Sequence, residues 1–218
     1  MYLSKIVLNT RNRGVMADIS NMYSMHQTLI SMLPGYDNSP NSKYLYRLEQ
    51  DERRNTAIIL MQSEIEPCFD KHLETGYLQI AQSKEYSPIF NNGEQYRFRL
   101  YANVVRKRTY DPDKDTNPNK KSAESVLVPM YREDEMEKWL SDRAISNGFE
   151  LLGQPSMAKS YRRFSKKGDA KHKSNLFGVQ YDGILRVTDS EQFAEALRSG
   201  IGKGKTFGFG LLSLSKMI

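Results

Sequence analysis

The spacing of hydrophobic residues alternates between strand-like and helix-like along the chain. Residues Tyr2–Leu8 alternate between apolar and polar positions, which predicts a first strand. From Asp18 to Pro34 the apolar residues recur at helical spacing, which predicts one amphipathic helix. Asp18 or Ser20 would cap this helix, and Pro34 with Gly35 would end it. The apolar residues of the predicted face are Ile19, Met22, Leu29, Ile30 and Leu33.

The following segments extend this pattern to a whole domain. Residues Lys43–Glu49 and Thr56–Met61 predict a hairpin, and Pro67–Glu74 predicts a short helix. A short strand at Tyr77–Ile80 and a long one at Gln95–Lys107 follow. The resulting order, β-α-β-β-α-β, is the ferredoxin-like arrangement. We therefore expect an N-terminal ferredoxin-like domain that ends after the strand at Gln95–Lys107.

The second half of the chain repeats the mixture of strands and helices. Residues Thr109–Ser125 contain two prolines, many charges and few apolar residues, which predicts a linker. After it, the sequence predicts a strand at 126–128 and a helix at 132–147. A hairpin at 160–187, which turns near Gly168-Asp169, a helix at 189–199 and a final strand at 211–214 follow. The expected fold class is α+β, with two tandem ferredoxin-like (RRM-like) domains at residues 1–108 and 126–218 joined by a linker at 109–125.

Composition narrows the possible environments and cofactors. No apolar run approaches the roughly 18 residues of a membrane span, and the N-terminus lacks the apolar core of a signal peptide. The single cysteine, Cys68, excludes an intrachain disulfide. His26, His72 and His172 show no metal-ligand spacing, and no CxxC motif is present. We expect a cytoplasmic protein with no membrane association, no dedicated metal site and no cofactor, and a magnesium ion held by carboxylates is the alternative.

Positive charge is concentrated in one predicted hairpin. The chain carries a net charge of +6, which favours an anionic partner such as nucleic acid. Between residues 159 and 173, basic residues outnumber the single acid, Asp169, and Tyr161 and Phe164 lie among them. A basic two-stranded ribbon fits a nucleic-acid groove, although an edge hairpin protected from aggregation by lysines is the alternative. The basic residues are Lys159, Arg162, Arg163, Lys166, Lys167, Lys171 and Lys173.

A glycine-rich segment, Gly200–Gly210, contains five glycines and two lysines. It includes the end of a P-loop pattern, but it lies between a predicted helix and a predicted strand, which is the reverse of the P-loop order. We therefore exclude nucleoside triphosphate binding. The segment is expected to lie along a nucleic-acid backbone or to pack against the other domain, and the alternative is a tight connection that requires positive φ. The candidate RNA-binding residues are Gly202, Lys203, Gly204 and Lys205.

Tyr23 and His26 are three residues apart and therefore share one helix face. A histidine with a pKa near 6.5 can accept the proton of a 2′-hydroxyl or protonate a leaving oxygen around neutral pH. Tyrosine, with a pKa near 10, is better suited to orient the hydroxyl. The alternative is that His26 is a core residue on the apolar face. If His26 is catalytic, it must border an open cleft between the domains, close to the glycine-rich segment.

Three segments, MYLSKIVL, YSMHQTL and GIGKGKTFGFGLLSL, resemble the CasE-type CRISPR endoribonucleases, which process crRNA within the Cascade complex. The resemblance implies two tandem ferredoxin-like domains and metal-independent cleavage of precursor crRNA at the 3′ base of the repeat stem-loop. It also implies products with a 5′-hydroxyl and a 2′,3′-cyclic phosphate or 3′-phosphate. The family's catalytic pair falls on Tyr23 and His26. The implied partners are the repeat RNA, the mature crRNA and other Cascade subunits. A non-catalytic RNA-binding subunit and a DNA-binding module remain alternatives.

Overall fold

The computed structural model describes residues 1–39, 43–51, 53–109, 111, 125–165 and 173–217. Its first half contains one antiparallel sheet with the strand order β2-β3-β1-β4. This is a ferredoxin-like domain, with helices in both strand connections. Its elements are β1 (Tyr2–Leu8), α1 (Arg13–Ile19), α2 (Met22–Ile30), β2 (Tyr44–Asp51), β3 (Thr56–Ser63), α3 (Asp70–Glu74) and β4 (Leu78–Glu85).

The predicted single helix from Asp18 to Pro34 is wrong, because the chain forms two helices there. Asn21 adopts an extended backbone, with φ −147° and ψ 111°, and its side chain accepts a hydrogen bond from the Tyr23 N–H. Asn21 is therefore the N-cap of α2, in place of the predicted Asp18 or Ser20. Asp18 instead accepts hydrogen bonds from the hydroxyls of Thr28 (2.6 Å) and Tyr77 (2.7 Å), which hold the two helices against the sheet.

The second half contains a sheet with the order β11-β5-β10-β8, and β9 pairs with β10. This sheet, its two helices and their order form a second ferredoxin-like domain, which confirms the predicted fold class. Its elements are β5 (Gln95–Ala102), β6 (Val105–Thr109), β7 (Ser125–Pro129), α4 (Glu133–Ser146), β8 (Phe149–Leu151), β9 (Ser156–Ser165), β10 (Lys173–Val187), α5 (Ser190–Ser199) and β11 (Leu212–Lys216).

The sequence interpretation assigned the strand at Gln95–Lys107 to the first domain, and this assignment is wrong. Its first part, β5, pairs with β10 and β11 in the second sheet, whereas β4 completes the first sheet. Alternation of apolar residues predicts a strand but does not identify its partners. We therefore propose that the domains divide within residues 86–94 rather than at residue 108.

The predicted linker at Thr109–Ser125 is also misplaced. Strands β6 and β7 pair antiparallel from Val105 opposite Pro129 to Thr109 opposite Ser125. The segment between them therefore connects two strands of one hairpin inside the second domain. Residues 112–124, which carry most of the predicted linker, lie outside the described residues, as does the predicted turn at Gly168-Asp169.

The two domains pack directly against each other. Met22 from α2 contacts Tyr101 from β5 and Phe209 from the glycine-rich segment in a small shared core. Beside this core, Arg47 is only 4% exposed and donates a hydrogen bond of 2.8 Å to the Ser213 hydroxyl across the interface. Apolar packing by α2 and a buried guanidinium from β2 therefore fix the first domain relative to the second. No helix in the described ranges is long and apolar enough to cross a membrane.

Candidate active site

Asn21 fixes the start of α2 to the basic hairpin. Its side-chain oxygen accepts hydrogen bonds from the backbone N–H groups of Tyr23 (3.2 Å) and Ser165 (3.1 Å). Its side-chain nitrogen donates to the Ser165 carbonyl at 2.8 Å. One side chain therefore caps the helix that carries Tyr23 and His26 and also holds the end of β9. The sequence interpretation missed Asn21, although an asparagine directly before a helix is a recognisable capping signal.

Tyr23 and His26 lie on one face of α2, as predicted, with ring centroids 6.5 Å apart. The Tyr23 ring packs edge-on against Phe164 of β9 at 5.9 Å, and the His26 ring packs edge-on against Phe207 at 6.0 Å. Phe164 and Phe207 contact each other at 5.0 Å. Four rings from α2, the hairpin and the glycine-rich segment therefore meet at one point. This confirms the prediction that the glycine-rich segment lies close to His26.

The Tyr44 hydroxyl forms a short hydrogen bond with Nδ1 of His26. The two rings are nearly parallel, with an interplanar angle of 8° and centroids 6.0 Å apart. Tyr44 is only 5% exposed, and burial raises its pKa above the usual range, so that the phenol remains protonated. Nδ1 is thus occupied, and Nε2 is the ring nitrogen left to meet a substrate. The sequence predicted the strand that carries Tyr44 but gave no signal for this contact.

His26 is half-buried, and this burial lowers its pKa below the usual 6.5. The imidazole is therefore largely neutral at pH 7 in the free protein. Within the described part of the chain, no hydrogen bond involves Nε2. When Nδ1–H donates to the Tyr44 oxygen, Nε2 carries a lone pair and can accept a proton. An imidazole in this arrangement can act as a general base, with a buried neutral phenol holding the ring in position.

The glycine-rich segment makes a single tight turn beside His26. Residues Lys205–Phe207 form one turn of 3₁₀ helix between Gly204 (φ +74°) and Gly208 (φ +84°), both in the left-handed region. A Cβ atom at Gly208 would lie 3.1 Å from the Tyr46 ring. Positive φ and the close approach of the Tyr46 ring therefore explain these glycines. This agrees with the alternative prediction of a tight connection that requires positive φ. The same turn carries Phe207 to His26.

The candidate RNA-binding residues of this segment separate into two groups. Lys205 is half-buried, is the first residue of the 3₁₀ turn and lines the same cavity as Tyr44. Gly202 instead packs against Trp139 of α4, where an added Cβ would lie 3.2 Å from the indole. Lys203 lines a groove that also contains Trp139. Of the four predicted residues, Lys205 therefore belongs to the turn that carries Phe207 to His26, and Gly204 directly precedes that turn.

The two faces of β9 differ in their surroundings. Arg162 points towards the first domain, where it donates hydrogen bonds to the Leu48 carbonyl (3.2 Å) and the Gln50 side chain (3.1 Å). Lys159, on the opposite face, forms an ion pair of 3.2 Å with Glu133. Arg163 is exposed and has no ion pair within the described residues. Of these three predicted RNA-binding residues, Arg163 is therefore the most available for an external anion.

The remaining basic residues of the hairpin cannot be placed in the same way. Lys166, Lys167 and Lys171 lie outside the described residues, and only the backbone of Lys173, at the start of β10, is described. Among the described residues, no group of three or more His, Cys, Asp or Glu side chains is arranged to hold a metal ion.

Two ferredoxin-like domains meet at a histidine, with a basic hairpin beside it. Comparison with known proteins identifies the family to which this arrangement belongs. The sequence matches the family described as "CRISPR associated protein" over residues 1–216. The protein therefore belongs to the CRISPR-associated proteins, and within them it is a CasE-type member of the type I-E systems.

Two relatives and one solved structure illustrate this similarity. The chain is 30% identical to the CRISPR-associated endoribonuclease Cse3 of Thermus thermophilus, with 99% of this chain and 100% of the relative covered. It is 26% identical to the Cascade subunit CasE of Escherichia coli K12, with both chains fully covered. The structure of Thermus thermophilus Cse3 with an RNA that represents a pre-cleavage complex superposes with a TM-score of 0.81. It is 26% identical, with 98% of each chain covered.

Proposed function

We propose that this protein is an endoribonuclease that binds the repeat stem-loop of precursor crRNA and cleaves the RNA at the 3′ base of the stem. The observation that carries the proposal is the position of His26. Its Nδ1 is bonded to Tyr44, its Nε2 is free of hydrogen bonds within the described chain, and Tyr23 lies beside it. The relative named as a CRISPR-associated endoribonuclease, and the pre-cleavage RNA complex of that protein, support the same function.

Cleavage proceeds by attack of a 2′-hydroxyl on the adjacent phosphorus. Nε2 of neutral His26 accepts the proton of the 2′-hydroxyl as the O2′–P bond forms. The P–O5′ bond then breaks, and the leaving oxygen takes a proton from the imidazolium or from water. The products are a 2′,3′-cyclic phosphate and a 5′-hydroxyl. The Tyr44 oxygen accepts a hydrogen bond from Nδ1–H in both protonation states, so the ring keeps its position through the cycle.

Tyr23 positions the 2′-hydroxyl rather than deprotonating it. His26 already supplies the proton acceptor, so the phenol of Tyr23 is left to orient the 2′-hydroxyl through a hydrogen bond. The edge-on contact with Phe164 holds the Tyr23 ring beside the hairpin. The contact with the hairpin supports a role for Tyr23 at the edge of the surface that we assign to the RNA stem.

The basic hairpin is the proposed binding surface for the stem, with Arg163, Lys166, Lys167, Lys171 and Lys173 as phosphate ligands. Lys159 could join them by exchanging its exposed ion pair with Glu133 for a phosphate. Arg162 supports this surface from the inside through its contacts with β2. Neutralising several phosphates releases counterions, so RNA affinity should fall steeply as salt concentration rises.

The protein is further proposed to remain on the mature crRNA and to join other Cascade subunits. The E. coli relative, named as a Cascade subunit, supports this assignment. We assign a cytoplasmic location because precursor crRNA is made there. The proposed reaction needs no metal and no cofactor, since His26 itself moves the proton.

Incubation with the repeat stem-loop RNA in the presence of EDTA tests the proposed function. We expect cleavage at the 3′ base of the stem, with a cyclic phosphate on one product and a 5′-hydroxyl on the other. Complete loss of cleavage in EDTA that returns with added Mg²⁺ would refute the metal-free mechanism. RNA that is bound but left intact, with or without metal, would support the non-catalytic alternative.

A further inference from the structure

A cavity of about 360 Å³ lies beside Tyr44 and is separate from the ring cluster around Tyr23. It is formed where the beginning of β2, the end of α5 and the glycine-rich segment meet. Its volume lies at the lower end of the range for small-ligand sites, roughly 300–1,000 Å³. The polar residues that line it include Lys43, Tyr44, Arg198, Ser199, Lys205 and Thr206.

Three cationic side chains face this cavity, and the acidic residue Glu195 lies near one of them, Lys205. Lys43, Arg198 and Lys205 form no ion pair within the described residues. Burial and the neighbouring Lys43 lower the pKa of Lys205, and Glu195 offsets this only in part. Glu195 is also held by a hydrogen bond from the Ser199 hydroxyl. Like charges placed together in a partly desolvated cavity repel one another, and a bound anion would remove that repulsion.

The position of the cavity relative to His26 identifies the anion. On one side of the catalytic pair, Tyr23 contacts Phe164 of the basic hairpin. On the other side, His26 is bonded to Tyr44, which lines the cavity. A phosphate held by His26 would therefore have the hairpin near it through Tyr23 and the cavity near it through Tyr44. If the hairpin holds the stem and cleavage occurs at its 3′ base, the strand that passes beyond the scissile bond enters the cavity.

We propose that this cavity binds the phosphodiester on the 3′ side of the scissile bond and so holds the strand that leaves after cleavage. Lys43, Arg198 and Lys205 would neutralise the phosphate, and the Thr206 hydroxyl supplies a hydrogen-bond donor beside them. This inference rests on the proposed endoribonuclease function. It adds a subsite that anchors the RNA downstream of the reacting atoms.

Substrates of different length test the subsite directly. One RNA ends a single nucleotide beyond the scissile bond and has no downstream phosphodiester, and a second carries four nucleotides there. For the unaltered protein we expect kcat/KM to be about tenfold higher for the longer RNA. This preference should fall with salt with a log-log slope near −1, because one or two phosphates are neutralised. Lengthening the RNA at its 5′ end should have no such effect.

The variant Lys43→Gln with Arg198→Gln should lose the preference for the longer RNA while cleaving the short RNA within about twofold of the unaltered protein. The matched control, Lys71→Gln with Lys84→Gln, removes two exposed charges that do not line the cavity and should retain the preference. An equal preference in the cavity variant and the control would overturn the inference. A dependence on the 5′ extension instead of the 3′ extension would also overturn it.

Binding of uncleavable RNA separates this inference from the proposed function. The same RNAs with a 2′-deoxy nucleotide at the scissile position report the Kd without cleavage. In one outcome, the cleavable RNAs are not cut, the 3′ extension still tightens binding, and the cavity variant abolishes this gain in affinity. That result would refute the endoribonuclease and leave the subsite standing. If the 3′ extension changes neither Kd nor kcat/KM, the subsite is refuted whatever the cleavage result.

Discussion

The hydroxyl of Tyr44 is hydrogen-bonded to Nδ1 of His26, and this contact joins β2 to the helix α2. Because Tyr44 is buried and its pKa is raised, its hydroxyl is a permanent neutral partner for the imidazole. The contact therefore decides which nitrogen of His26 can reach the RNA. The orientation of the His26 ring therefore depends on Tyr44, which positions this ring without having to contact the RNA.

Tyr44→Phe should lower the cleavage rate about 10- to 100-fold, because the His26 ring loses the partner that fixes its orientation. The ring of the new phenylalanine preserves the stacking, so RNA binding should remain within a few fold of the unaltered protein. Single-turnover cleavage and a parallel binding assay measure the two effects. Tyr46→Phe is the matched control, since Tyr46 stacks on Tyr44 but does not contact His26. Equal rates for both variants would show that the hydroxyl has no positioning role.

The pH dependence of cleavage should show His26 acting as a base. Burial lowers its pKa below 6.5, and a base is active in its neutral form. We expect kcat/KM to be constant around pH 7 and to decrease about tenfold per pH unit once the pH is below the lowered pKa. Binding of 2′-deoxy RNA over the same range provides the control for substrate affinity. A rate that instead decreases as the pH rises through 6 to 7 would assign His26 the role of the acid.

The interface between the domains should depend on the buried Arg47. Its guanidinium donates to Ser213 at 2.8 Å and to Glu49 at 2.7 Å, and burial lowers its pKa. Arg47→Met leaves Glu49 and backbone carbonyls without this donor, so we expect the free energy of unfolding to decrease by about 2–4 kcal/mol. Denaturant unfolding measures the change.

The control for this measurement is Arg54→Met. The Arg54 side chain is 83% exposed and is paired with Asp51, so its removal should change the free energy of unfolding by less than about 0.5 kcal/mol. An Arg47 variant as stable as this control would show that the domains are held together by apolar packing alone.

The periodicity of the sequence predicted strands and helices better than it predicted their partners. Alternation identified β5 as a strand, but pairing with β10 and β11 is a tertiary event that local pattern does not encode. Residues 109–125 look like a linker because they are polar and contain proline. Only the pairing of β6 with β7 shows that both ends belong to one hairpin.

The candidate site was predicted in part. Helical spacing placed Tyr23 and His26 on one face, and the resemblance to CasE-type proteins marked them as a pair. The sequence interpretation missed the helix break at Asn21 because the apolar spacing continues through this residue. The break lies in the backbone, since Asn21 is extended and caps α2. Tyr44 was missed because its contact with His26 depends on how α2 packs on the sheet. Arg162 was predicted as an RNA ligand, and no signal in the sequence indicates its hydrogen bond to the Leu48 carbonyl, which forms because strand alternation turns the side chain towards the first domain.

The most direct test of the central claim is the single-turnover cleavage rate of His26→Ala with the repeat stem-loop RNA. The substitution removes the proton acceptor and leaves the hairpin intact. We therefore predict RNA binding within a few fold of the unaltered protein and cleavage slower by a factor of about 10² or more. Gln27→Ala, at the exposed neighbouring position of α2, serves as the control and should cleave normally. Cleavage by His26→Ala at the unaltered rate would contradict the assignment of His26 as the catalytic residue.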